Sequence, residues 1–74
     1  MKEGLIVKSL KGHDTGRIYL VVASLDENFV LLCDGQYRKI DNPKQKRVKH
    51  LEVVGTAPSV AELTNSSIRK ICKV

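Results

Sequence analysis

The chain has 74 residues, so it holds one domain at most, with a small hydrophobic core. Hydrophobic residues make up 42% of it and charged residues 28%, and this balance excludes a wholly disordered chain. Thirteen Lys and Arg against eight Asp and Glu give a net charge of +5. That excess favours an anionic partner, either nucleic acid or an acidic membrane surface, although small proteins also carry surplus lysine for solubility.

Short apolar segments separated by polar turns predict β-strands along the first half of the chain. Residues 5–10 form the first β-prone run, and residues 17–24 form a second that is rich in β-branched and aromatic residues. A loop with two glycines, residues 11–16, separates them. After a polar turn at residues 26–28, residues 29–33 predict the third strand.

The Asp-Gly pair at 34–35 predicts a tight hairpin turn, because both residues tolerate the positive φ angles of a two-residue type I′ loop. Residues 36–40 would then form the fourth strand, and Pro43 would force the next change of direction. Residues 44–54 predict a basic approach followed by a fifth strand. Short strands at roughly ten-residue spacing predict a mainly β fold, a small five-stranded barrel formed by residues 1–54.

Residues 55–74 predict a linker followed by a short helical tail that ends at Lys73. The Ser59–Glu62 pattern is typical of a helix capping box, and Thr64 or Asn65 offers a second cap. One face of this helix would carry four apolar side chains: Leu63, Ile68, Ile71 and Cys72. Because a helix this short is not stable alone in water, we expect the tail to dock on the barrel, dock on a partner or fray.

The cysteines and histidines do not support a metal site or a catalytic centre. Cys33 and Cys72 lie 39 positions apart, without a Cys-x-x-Cys pair. We predict that Cys33 is a small core residue and that Cys72 either faces the barrel or is a free surface thiol. Neither His13 nor His50 has a nucleophile or a third ligand at suitable spacing. We therefore expect no enzyme activity, no cofactor, no metal and no small-molecule substrate.

The same two thiols suit a reducing compartment. The three apolar residues that follow Gly4 are far too few for the hydrophobic region of a signal peptide. We therefore expect a cytoplasmic protein.

The loop formed by residues 11–17 is the first candidate binding site. Gly12 and Gly16 allow the backbone to turn sharply and to approach another surface closely. Such a loop would set three cationic or titratable side chains against a phosphate backbone: Lys11, His13 and Arg17. A plain connection between two strands explains the spacing equally well.

A basic stretch between residues 38 and 50 is the second candidate binding site. Six of the thirteen cations occupy twelve consecutive positions here, followed by His50: Arg38, Lys39, Lys44, Lys46, Arg47 and Lys49. Clustered like charges repel one another unless a polyanion neutralises them. The turn at Pro43 would bring the first two of these cations, on one strand, close to Lys46 and Lys49 on the next. A solvated edge loop whose lysines discourage aggregation is the alternative.

Aromatic residues are scarce, with only Tyr19, Phe29 and Tyr37 present. Binding of single-stranded nucleic acid uses aromatic platforms that stack on bases. Contacts to the phosphates and 2′-hydroxyls of structured RNA suit this composition better. No predicted helix is long and basic enough to fill the major groove of DNA.

Four pieces of the sequence within residues 4–54 occur in a distinctive order: Gly12 to Arg17, Leu25 to Leu31, Asp34-Gly35 with Arg38-Lys39, and Pro43-Lys44 with Lys49-His50-Leu51. Together they resemble the KOW-containing large-subunit ribosomal proteins of archaea and eukaryotes, the "fourteen-e" type, and their short bacterial relatives. The resemblance implies a five-stranded SH3-like (KOW) barrel that binds ribosomal RNA and performs no chemistry. It also implies that the 11–17 loop and residues 44–50 face the RNA. His13 stands where many relatives carry Arg, and the tail here is shorter and less basic than theirs.

We therefore expect an RNA-binding protein in a ribosome- or translation-associated role, with ribosomal RNA and the large ribosomal subunit as its partners. A protein-interaction adaptor of the transcription or translation machinery is the alternative, since SH3-like barrels also bind peptides in apolar or aromatic grooves. A membrane-surface binder would need an amphipathic basic helix, and residues 59–73 are too short and too polar to form one.

Overall fold

The computed structural model of the protein describes residues 1–57 and 63–72. Its elements follow in chain order: β1 (Leu5–Ser9), β2 (Ile18–Ser24), β3 (Phe29–Cys33), β4 (Lys44–Arg47), a 3-10 turn (Val48–His50), β5 (Leu51–Thr56) and α1 (Asn65–Cys72). The five strands form one antiparallel sheet in the order β4-β3-β2-β1-β5. The predicted mainly β fold with a short C-terminal helix is therefore confirmed.

The sheet is strongly curved, because its two edge strands are consecutive in the chain. Only the 3-10 turn Val48–His50 separates the end of β4 from the start of β5. The four residue steps between them span at most about 14 Å even when extended. The edges of a flat five-stranded sheet would lie roughly 19 Å apart. Within the described residues no ladder joins β4 to β5, so the sheet is curled without being closed by hydrogen bonds.

β2 is buried on both faces, which explains its nearly continuous apolar run. Tyr19 and Val21 belong to the main core, together with residues of β1, β3 and β5: Val7, Val30, Leu32 and Leu51. Leu20 lies on the opposite face and packs with Cys33 and Ile68. Successive residues of a strand point to opposite faces, so one strand contributes to both clusters. The burial of Cys33 confirms its prediction as a core residue.

The helix α1 begins with a side-chain cap at Thr64, one of the two residues predicted for the second cap. The N–H of Ser67 donates to Thr64 Oγ1 at 3.2 Å, and the N–H of Thr64 donates to Ser67 Oγ at 2.9 Å. Ile68 is fully buried in the second cluster, so α1 docks on the sheet. Cys72 also packs there, facing the sheet. The predicted box at 59–62 and the predicted end at Lys73 lie outside the described residues.

The prediction of a fourth strand at residues 36–40 is wrong, because a closed loop forms there instead. The Asp34 carboxylate accepts hydrogen bonds from the N–H groups of Gln36 at 2.9 Å and Arg38 at 2.8 Å. The N–H of Asp34 donates back to the carbonyl of Arg38 at 3.0 Å. Asn65 of α1 accepts a further hydrogen bond from the end of this loop at 2.8 Å. The predicted two-residue hairpin therefore does not form, and the fourth strand begins later in the chain.

Candidate nucleic-acid interface

Asp14 is a buried carboxylate in the 11–17 loop, with only 5% of the residue exposed. The ammonium groups of Lys44 and Lys46, both on β4, donate to it at 2.7 and 2.9 Å. The hydroxyls of Ser9 and Tyr19 donate at 2.9 and 3.1 Å. Both carboxylate oxygens thus have partners, as a buried charge requires. The contacts fix the loop against a strand some thirty positions further along the chain.

These hydrogen bonds keep Asp14 ionised. Burial alone would raise the pKa of this carboxyl, but the bonds from Lys44, Lys46, Ser9 and Tyr19 lower it by more, so the pKa lies well below its ordinary value of 3.8. Burial, together with the negative charge of Asp14, raises the pKa of Tyr19 to about 12. The tyrosine hydroxyl therefore keeps its proton and remains a donor.

Lys46 connects the loop to β4 a second time. Besides Asp14, its ammonium group donates to the backbone carbonyl of Lys11 at 2.8 Å. Gly12 has a φ of +93°, and a Cβ atom there would lie 3.4 Å from the Lys46 nitrogen. Any other residue would be strained at this φ angle. Lys46 uses two of its three donors inside the protein, so it acts mainly as a structural cation.

Positive charges from the loop and from the end of β4 meet around His50. The carbonyl of His50 accepts the N–H of Leu10 at 2.9 Å, which ties the turn before β5 to the end of β1. Desolvation lowers the pKa of His50, and four neighbouring positive charges lower it further: Lys11, Lys49, Lys46 and Arg47. His50 is therefore neutral at pH 7, and the hydrogen bond between Leu10 and His50 holds the cations of the two stretches near one another.

The structure thus brings together five of the predicted cations, which we call the basic cluster: Lys11, Lys44, Lys46, Arg47 and Lys49. Gly12 and His50 belong to the same region, and His13 and Gly16 lie exposed in the 11–17 loop. Arg47 also lies over the ring of Phe29, 5.1 Å from its centre. Both candidate binding sites predicted from the sequence, the 11–17 loop and the stretch between residues 38 and 50, contribute cations to this cluster.

Arg38 and Lys39 do not take the place predicted for them. Both belong to the loop between β3 and β4, so they are not on a strand beside Lys46 and Lys49. The neighbour of β4 is β3, where Lys46 is paired with Val30. The predicted strand-to-strand arrangement of these four cations is therefore wrong.

A second basic region lies between the 34–43 loop and α1. Arg17, the last residue of the first candidate loop, places its guanidinium over the ring of Tyr37, 4.6 Å from its centre. A groove of about 640 Å³ opens beside this pair, and α1 contributes two cations to its lining, Arg69 and Lys70. The sequence gives no local sign of this region, because α1 lies about thirty positions after Tyr37.

The sequence also gives only a weak signal for the role of Asp14. Lys44 and Lys46 are two residues apart on a strand, so their side chains point to the same side. Such a pair suggests a shared counter-ion. No local pattern identifies that counter-ion as Asp14, which lies 30 positions before Lys44 and 32 positions before Lys46.

No family model matches the chain, and no curated protein is significantly similar to it. Over residues 1–57 and 63–72, no helix is both long and apolar enough to cross a membrane. In the same residues, His, Cys, Asp and Glu side chains do not gather in groups of three that would hold a metal ion.

Proposed function

We propose that the protein is a non-enzymatic RNA-binding module that grips the phosphate backbone of folded RNA. Its target is ribosomal RNA, and its role is ribosome- or translation-associated, in the cytoplasm. One observation carries the proposal: Asp14 fastens the 11–17 loop to β4 through Lys44 and Lys46. Cations from two separate stretches of the chain thereby lie in one region.

The electrostatics of the basic cluster favour a polyanionic partner. Asp14 offsets only one of its five charges, so the remaining positive charges repel one another. Bound phosphates would relieve this repulsion and release counterions from the RNA. The main phosphate ligands in this proposal are the three cluster cations that form no ion pair within the described residues: Lys11, Arg47 and Lys49.

The curled sheet fits the SH3-like (KOW) barrel that the sequence resemblance implies. A three-residue turn joins the two edge strands, so the edges approach one another. The hydrogen bond from Leu10 to the carbonyl of His50 keeps this turn beside the 11–17 loop. In this proposal, that end of the barrel is the one that faces RNA.

Structured RNA suits this surface better than an extended single strand. Tyr19 is buried, and Arg47 lies over the ring of Phe29. Tyr37 is the only aromatic ring that is largely exposed. One ring cannot provide the run of stacking platforms on which extended single strands lie. Phosphate and 2′-hydroxyl contacts need no such platform.

Removal of two cluster charges tests the proposal. Lys11→Gln with Lys49→Gln leaves the ion pairs of Asp14 intact, whereas substitution of Lys46 would disturb the fold. We expect this double variant to bind a folded ribosomal RNA fragment about tenfold more weakly. Its log–log salt slope should be smaller by about 1.4 to 1.8, because two phosphate contacts are lost. Fluorescence anisotropy over a range of salt concentrations measures both quantities.

The matched control removes the same charge from two other exposed lysines, by Lys2→Gln with Lys8→Gln. This variant should change the affinity much less. Equal weakening by the two double variants would show that binding depends on net charge alone, against the cluster. If the wild-type protein bound no folded RNA, the proposal would be refuted and the adaptor role favoured. An adaptor should retain its protein partners in a pull-down after nuclease treatment.

A further inference from the structure

We propose that the groove between the 34–43 loop and α1 binds one nucleotide, with its base stacked on Tyr37 and its phosphate held by Arg69 and Lys70. This inference rests on the proposed RNA binding and adds a second, separate contact to it. The nucleotide is an unpaired one, bulged or looped out of the folded RNA, since a base inside a duplex has no free face to offer.

Tyr37 presents an open ring face. The guanidinium of Arg17 lies 4.6 Å from the centre of the ring, over one side of it. Nevertheless 68% of Tyr37 is exposed, so the other side faces solvent. Stacking of a base needs only one free face, and it tolerates every base because each has a π surface. The cation behind the ring helps to hold it in place.

The charges around the groove match a phosphate. Arg17, Arg69 and Lys70 contribute three positive charges, and Asp34 contributes one negative charge. The carboxylate of Asp34 already accepts two hydrogen bonds from backbone N–H groups of its own loop, so it serves the loop structure. The volume of about 640 Å³ is ample for one nucleotide, since small-molecule sites range over about 300–1,000 Å³.

The two walls of the groove are fixed before any ligand arrives. A Cβ atom at Gly35 would collide with the carbonyl of Asn65 and lie 2.6 Å from the backbone nitrogen of Arg69, so α1 rests directly on the loop. The side chain of Asn65 also accepts a hydrogen bond from the N–H of Ile40 at 2.8 Å. Binding therefore does not have to order the helix relative to the loop, and this lowers its entropic cost.

A nucleotide matches this groove better than an acidic peptide does. An acidic side chain would pair with the cations but would leave the open face of Tyr37 unused. A nucleotide offers a flat aromatic base and an anionic phosphate a few ångströms apart, and it uses both features together.

Two RNA stems of the same ribosomal sequence test the inference, one fully paired and one with a single bulged 2-aminopurine. We expect the wild-type protein to bind the bulged stem about tenfold more tightly, because one base–aromatic stack is gained. Tyr37→Ala should abolish this preference and leave the affinity for the paired stem unchanged. Tyr37→Phe keeps the ring and should retain the preference. The fluorescence of 2-aminopurine should change on binding only when the ring is present.

The outcomes separate this inference from the proposed function. Binding of both stems with equal affinity would refute the groove contact and leave the basic cluster standing, whereas binding of neither stem would refute RNA binding itself. A bulge preference that survives Tyr37→Ala would place the contact elsewhere. Adenosine monophosphate is the third probe. Suppose that it binds the wild type saturably and does not bind Tyr37→Ala, while the wild type shows no preference for the bulged stem. The groove would then take a free nucleotide, and the RNA form of the inference would be wrong.

Discussion

The carboxylate of Asp14 joins three strands through its hydrogen bonds: β1 through Ser9, β2 through Tyr19, and β4 through Lys44 and Lys46. A charge is buried at tolerable cost only when it is paired and hydrogen-bonded. In this protein the pairing also positions the 11–17 loop. The stability of the domain and the geometry of the basic cluster therefore depend on the same group.

Asp14→Asn should lower the free energy of unfolding by about 3 kcal/mol, because two partly buried ammonium groups would lose their counter-charge. The value lies at the low end for buried pairs, since 26% of the Lys44 side chain is exposed to solvent. Urea denaturation followed by circular dichroism measures it. Asp41→Asn changes an exposed carboxylate and should stay within about 0.5 kcal/mol of the wild type. Equal stability of the Asp14 and Asp41 variants would contradict the role given to Asp14.

The stabilising effect of Asp14 should also depend on pH. Its pKa is lower in the folded protein than the ordinary 3.8, so its contribution is fully present above about pH 4 and is lost as the pH falls further, towards the folded-state pKa. The gap in unfolding free energy between the wild type and Asp14→Asn should be constant from about pH 5 to 8 and shrink below about pH 4. A gap that widens in acid would contradict this sign.

At the scale of the residue, the sequence shows which side chains are charged but not which of them meet. Lys11 and Lys49 were predictable as surface cations, because each lies in a polar stretch next to a predicted strand, and both are exposed. The pairing of Asp14 with Lys44 and Lys46 was not predictable, since it spans 30 and 32 positions and depends on how the sheet curls.

At the scale of the element, α1 depends on its contact with the rest of the protein. A helix of eight residues is unstable alone. Ile68 supplies its buried anchor, and Gly35 allows its backbone to approach the 34–43 loop closely. Loss of either contact should detach the helix from the rest of the protein and so remove one wall of the groove.

Gly35→Ala tests this dependence against a control with the same backbone strain. Gly35 and Gly4 have φ angles of +79° and +89°. A Cβ atom added at Gly35 would collide with α1, whereas one added at Gly4 would lie in open space. Backbone strain should lower the free energy of unfolding of both variants by about 1 kcal/mol. Gly35→Ala should in addition release α1, so that the amide of Ile68 exchanges with solvent much faster. Similar exchange at Ile68 in the two variants would show that α1 does not depend on this contact.

Local signals in the sequence predict β3 and the cap of α1 correctly, and they fail at the fourth strand. The strand predicted at residues 29–33 coincides with β3, and the cap at Thr64 forms as the sequence indicates. The strand predicted at residues 36–40 fails because Asp34 captures the N–H groups that a strand would use in a ladder. Short polar side chains commonly compete with strand partners for backbone N–H groups in this way. The sequence alone does not show which of the two sets of hydrogen bonds will form.

At the scale of the whole molecule, the positive charge is concentrated. The basic cluster and the groove hold eight of the thirteen cations. The cluster forms because the curled sheet brings together stretches that are far apart in the sequence. In the proposed mode of binding, the cluster supplies charge and the groove supplies a preference for RNA with an unpaired nucleotide.

Backbone amide chemical shifts of the ¹⁵N-labelled protein, followed as a folded ribosomal RNA fragment is added, test the central claim most directly. We predict that the largest changes fall on residues 11–16 and 46–50, with little change at the exposed end of β5 around Val54. Shifts confined to residues outside those two segments would contradict a binding face built by the basic cluster.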